Sequence, residues 1–206
     1  AGEAPAEAEA EEIQSSVEEK EETLTEVTAD LTAARSKRDE KADELQAAEA
    51  ELAEAQAALS GWSEDPLTPG EVDSLPVTDG YMEDSDYEKL QDWLSQRGLS
   101  ESDDPEATKQ TLIDYLGNHA AEGARLREAV RTAEEKVGEK QSSLATAEDE
   151  LSRLQSAEKT AEAEKTSAEK RLDTIEADLD AAPAGETSAA LPETESISGA
   201  TYITVD

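Results

Sequence analysis

Large apolar residues recur along this chain at steps of three and four, in two long stretches. From residue 13 to 62 the a positions of a heptad are Val17, Leu24, Leu31, Arg38, Leu45, Leu52 and Leu59, and the d positions are Ile13, Lys20, Val27, Ala34, Lys41, Ala48, Ala55 and Trp62. From residue 126 to 179 the a positions are Val130, Val137, Leu144, Leu151, Glu158, Lys165, Leu172 and Leu179, and the d positions are Leu126, Ala133, Lys140, Ala147, Leu154, Ala161, Ala168 and Ile175. Both stretches are rich in Ala, Glu, Leu and Gln, which are good helix formers. Sustained a/d spacing over this length predicts coiled coil.

The two stretches match in length, each spanning about 75–80 Å at ~1.5 Å per residue. The simplest arrangement folds them onto each other as a long antiparallel coiled-coil hairpin. Parallel association between chains is the alternative. Small Ala at many d positions leaves room for Leu from a facing helix. Two neighbouring registers differ in how well they satisfy that rule. One pairs residues whose numbers add to 192. The other, adding to 185, sets Lys20 against Lys165 and Leu31 against Leu154, so 192 is the expected register. Arg38, Lys41, Glu158 and Lys165 interrupt the seam. They either snorkel out and fix register or are weak spots in a marginal coil.

The sixty residues between the arms differ in pattern. Residues 61–84 hold Pro66, Pro69, Pro76, Gly61, Gly70 and Gly80, and read as turn-rich loop. Trp62, Leu67, Val72, Leu75, Val77, Tyr81 and Met82 within it can pack on the next helices of the chain. A short helix is expected over 86–98, with Ser85 and Glu88 as a capping box and Gly98 as its stop. A second is expected over 105–116, with Asp104 as N-cap, Pro105 in the first turn and Gly117 at its end. Leu90, Trp93 and Leu94 form one apolar face, and Leu112, Ile113 and Leu116 the other.

The segment Tyr87 to Leu116 resembles the helix-extension-helix group that includes SAP and LEM modules. The matching residues are Leu90, Leu94, Arg97, Gly98 and Leu99, then Thr108, Lys109, Leu112, Ile113 and Leu116. The resemblance covers about thirty residues of 206. It implies two helices joined by an extended segment, and a docking surface for DNA in SAP-type relatives or for protein in LEM-type ones. Similar modules also occur in structural proteins of tailed viruses. The expected docking residues are those ten and Trp93. The plainer alternative is that the two helices only cap the hairpin.

Charge narrows the partners. The chain carries 53 Asp+Glu against 18 Lys+Arg, a net charge of −35. From Asp86 to His119 eight acids face Lys89, Arg97 and Lys109. Phosphate neutralisation supplies most nucleic-acid affinity, so nucleic acid is a poor partner. Such a surface resembles the acidic style of halophilic, notably archaeal, proteins; an acidic coiled coil from a mesophile is the alternative. There is no Cys and one His, His119, which excludes a disulfide framework and leaves little for a metal centre or a nucleophile triad. The acidic run Asp79 to Asp86 departs from the calcium-loop pattern. No enzyme activity, cofactor or metal site is expected. No run of about 18 apolar residues suggests a membrane span, and no signal peptide is visible.

After a Pro/Gly-marked linker, Thr201, Tyr202, Ile203, Thr204 and Val205 alternate with the period of two of a strand. A lone strand needs another sheet to pair with, so this end is expected to anchor the chain on a partner.

The expected protein is all-α, with a C-terminal β-strand tail. Residues 1–12 form an acidic tail, 13–62 the first arm, 63–120 a tip insert with a small two-helix module, 121–180 the second arm, 181–196 a linker and 197–206 the anchor. The function expected is that of an elongated, non-enzymatic spacer with docking elements at both ends. Its partners are proteins: subunits of a larger particle or copies of itself. The place expected is the virion of a halophilic tailed virus, as fibre, turret or head–tail accessory. The alternative is a cytoplasmic coiled-coil adaptor or DNA-associated protein of a halophile.

Overall fold

The computed structural model describes residues 3–181. They form four helices: α1 (Glu3–Ser60), α2 (Pro69–Asp73), α3 (Asp84–Gln96) and α4 (Pro105–Ala181). Among the described residues there is no strand, only an isolated bridge between Thr78 and Tyr81. The class is all-α. The expected linker and the anchor, Thr201 to Val205, lie outside the described residues.

The described residues divide into two compact units, residues 3–31 with 154–181, and residues 32–153. In the first, α1 and α4 run antiparallel and exchange two ion pairs, Lys20 with Glu164 at 3.0 Å and Lys165 with Glu21 at 3.2 Å. Ile13, Val17, Leu31, Leu154, Ala161 and Ala168 are buried between them. Leu24, Val27, Leu172, Ile175 and Leu179 are half-buried, as expected of long side chains with only one partner helix.

The second unit holds the remaining arm segments and everything between them. Lys37 reaches Glu150 at 3.5 Å, Lys140 reaches Glu44 at 2.8 Å and Lys136 reaches Glu51 at 2.7 Å. Ala34, Ala48, Ala133, Val137, Ala147 and Leu151 are buried.

These pairs correct the expected register. Lys20 and Glu164 add to 184 and Lys165 and Glu21 to 186. In the second unit the three pairs add to 184 or 187. All cluster at 185 rather than 192. The physical reason sits at Gly123, one heptad before Val130 and so at an a position. Its α-carbon faces the Trp62 indole, and a Cβ there would lie 2.2–2.6 Å from ring carbons. Only glycine accommodates the ring, and 62 and 123 add to 185. The apparent faults of this register resolve locally. Lys20 and Lys165 turn sideways to acids of the opposite helix, and Leu31 and Leu154 are both buried.

Three boundaries also move. Helix α1 begins at Glu3, so residues 3–12 are helical rather than a tail, with Ala6 and Ala10 half-buried. Gly117 does not end a helix. Helix α4 passes through Gly117, Gly123 and Gly138 without a break, because packing on both sides offsets about 1 kcal/mol per glycine. The second tip helix and the second arm are therefore one element. The third is the start of α3, which lies at Asp84 rather than at residue 86.

Candidate docking module

The segment from Trp62 to Arg127 folds as a small core set between the ends of the arm helices of the second unit. Its centre is Leu67, Val72, Leu75, Met82, Leu90, Leu94, Leu112 and Leu116, all buried. Val77, Tyr87, Trp93, Leu99, Ile113 and Tyr115 pack around them.

Each connection has a local cause. Thr68 caps α2 in a reciprocal box with Glu71, and Pro69 occupies the first turn. The region expected to be loop thus holds one turn of helix, which seats Val72. Asp79 and Gly80 both take positive φ, 51° and 76°, between the paired Thr78 and Tyr81. This is the type I′ turn for which Asp-Gly is suited. Tyr81 projects from it, 65% exposed.

Helix α3 starts at Asp84 behind Glu83, which makes no side-chain cap, so the expected Ser85–Glu88 box is absent. Met82, buried in the core two residues earlier, fixes the entry instead. The exit is as expected. Gly98 takes φ 66°, its N–H donates to Ser95 O, and Leu99 N–H donates to Leu94 O. That is a Schellman end, with Leu99 folded back onto the core.

The extension between α3 and α4 is held by Thr108, which is fully buried. Its hydroxyl oxygen accepts from Ser102 N–H at 3.0 Å and lies 3.0 Å from Asp104 O. Asp104 caps α4 by accepting from Glu106 N–H at 3.1 Å. Lys109, 5% exposed, donates to Asp73 O at 3.1 Å and Leu75 O at 2.7 Å. Its ammonium satisfies carbonyls at the C-terminal end of α2, where a cation is favoured.

Arg97 ties the extension to the chain leaving α1. Its guanidinium makes a two-pronged pair with Asp65, Nε donating at 2.7 Å, and a further N–H donates to Trp93 O at 2.8 Å. The Arg97 guanidinium holds the Asp65 carboxyl below its ordinary 3.8, aided by Leu67 N–H and opposed by burial. Nearby, Gln91 and Tyr87 both donate to Glu101 and lower its carboxyl, while Glu101 in turn raises the Tyr87 phenol.

At the base of the module one face of α4 carries Tyr115, His119, Gly123 and Arg127, spaced four apart. Trp62 lies against it. The indole stacks on His119 at 5.0 Å, donates Nε1–H to His119 O at 3.2 Å, and carries the Arg127 guanidinium 4.9 Å from its ring. Tyr115 also stacks on His119, at 6.1 Å, and His119 Nε2 meets Ser63 O at 2.6 Å. His119 is thus half-buried mortar between arm and module.

All eleven expected tip residues come together here. Leu90, Leu94, Leu112 and Leu116 are core; Trp93, Leu99 and Ile113 pack against it; Arg97, Gly98, Thr108 and Lys109 hold the connections. None of the last four presents a free binding group. Residues 63–120 carry fifteen acids and three bases. Two of those bases, Arg97 and Lys109, are engaged in internal contacts, and Lys89 sits 6.0 Å from the Trp93 ring. Asp65, Gly123 and Arg127 are structural neighbours of these residues that the sequence pattern did not mark. Among the described residues no three metal-ligating side chains gather, and no helix is long and apolar enough to cross a membrane.

No family model, curated protein or solved structure matches this chain.

Proposed function

We propose that this chain is a non-enzymatic structural protein of a larger assembly. Its paired arm helices serve as a spacer, its tip module docks to protein, and the alternating segment 197–206 adds a strand to a partner sheet. One observation carries the choice of protein over nucleic acid at the tip: both Arg97 and Lys109 are engaged inside the module, so its outer surface is overwhelmingly acidic. A phosphate backbone finds no counter-charge there. The acidic composition and the helix-extension-helix resemblance support placing the assembly in the virion of a halophilic tailed virus, as fibre, turret or head–tail accessory.

The test is mass spectrometry of purified particles, with chain deleted of 197–206 as comparison. The chain is expected in the particle and its truncated form outside it. Normal incorporation of the truncated chain removes the anchor from the reading. Tight duplex-DNA binding at about 1 M salt, where screening is nearly complete beyond ~3 Å, replaces it with a cellular DNA-associated adaptor.

A further inference from the structure

No further inference is drawn: the strongest candidate, the groove between α3 and the extension that is lined by Leu94, Leu99 and the Glu101 carboxylate held by Tyr87 and Gln91, rests on one exposed acid bonded to its own neighbours, and nothing in the structure shows what covers it.

Discussion

Two regions of the second unit are built on opposite plans. The module between Trp62 and Arg127 closes a core in three dimensions. Val72, Leu90 and Leu112 are wholly buried, and nearly every connection has a named cap or turn. The arm seam closes in one dimension. There Ala48 and Ala147 are buried at 2% exposure, while Leu45, Leu52 and Leu144 remain half-exposed. In the seam small residues fill the line of contact and large ones flank it. In the module large residues fill the centre. Losing one side chain should therefore mean different things in the two places.

The largest effect expected is Leu112→Ala, which empties a fully enclosed site and should cost about 2–5 kcal/mol. Leu52→Ala in the seam should cost about 1–2 kcal/mol, because part of its surface is already in water. Denaturant unfolding followed by near-ultraviolet dichroism and by helicity reads the two. Equal costs would erase the contrast.

Next comes Asp65→Asn, expected to destabilise the module by about 1–3 kcal/mol through loss of a charge-assisted pair. The sign of its pH dependence follows from the lowered Asp65 carboxyl. The stabilisation is fully present above the ordinary 3.8 and drains away as pH falls below it. Module stability in the parent should therefore drop on that descent more steeply than in the Asn variant. Parallel curves would show that Asp65 contributes nothing by charge.

A pair of glycines on α4 gives a smaller contrast of opposite signs. Gly123→Ala drives a methyl into the Trp62 ring and should cost about 1–3 kcal/mol, with loss of the stacked Trp62 signal in a Trp93→Phe background. Gly138→Ala meets nothing within 4 Å and should stabilise by up to about 1 kcal/mol. Stabilisation by both would mean that Trp62 does not sit on Gly123.

The gentlest lever is salt. Raising it from ~0.1 M toward ~2 M shortens the screening length several-fold and relieves the repulsion of a chain at −35. Arm helicity should rise slightly while the module's near-ultraviolet signal stays flat. Flat arm helicity from low salt upward would count against a salt-adapted surface.

The seam was legible because heptad spacing records burial directly: nearly every expected a and d residue is buried or half-buried. Register was not legible in the same way. Leu and Ala recur so regularly that two alignments seven residues apart both set many large residues against small ones, and the one observed still pairs Leu31 with Leu154. The contact of Trp62 with Gly123 favours the observed one, and Gly123 stands outside a pattern followed through large apolar residues. In the module the apolar faces and the Gly98 exit were readable from local spacing. The Thr68–Glu71 box and the Asp79–Gly80 turn were equally local but were hidden in a stretch that its three prolines mark as loop. The Asp65–Arg97 pair spans 32 residues and the Lys109 contacts span 34 and 36, distances over which one sequence carries no record of proximity.

The unbroken passage of α4 from module into arm has a mechanical consequence. Within this unit α1 stops at Ser60, whereas α4 continues without a joint. A pull applied to the module travels down α4 along a continuous helix, but reaches the end of α1 through the non-helical backbone of residues 61–68, which the Trp62 stack and the Asp65–Arg97 pair brace. Those few contacts act as a shear pin: under load they should yield before either helix does, letting residues 61–66 straighten while the module stays folded on α4.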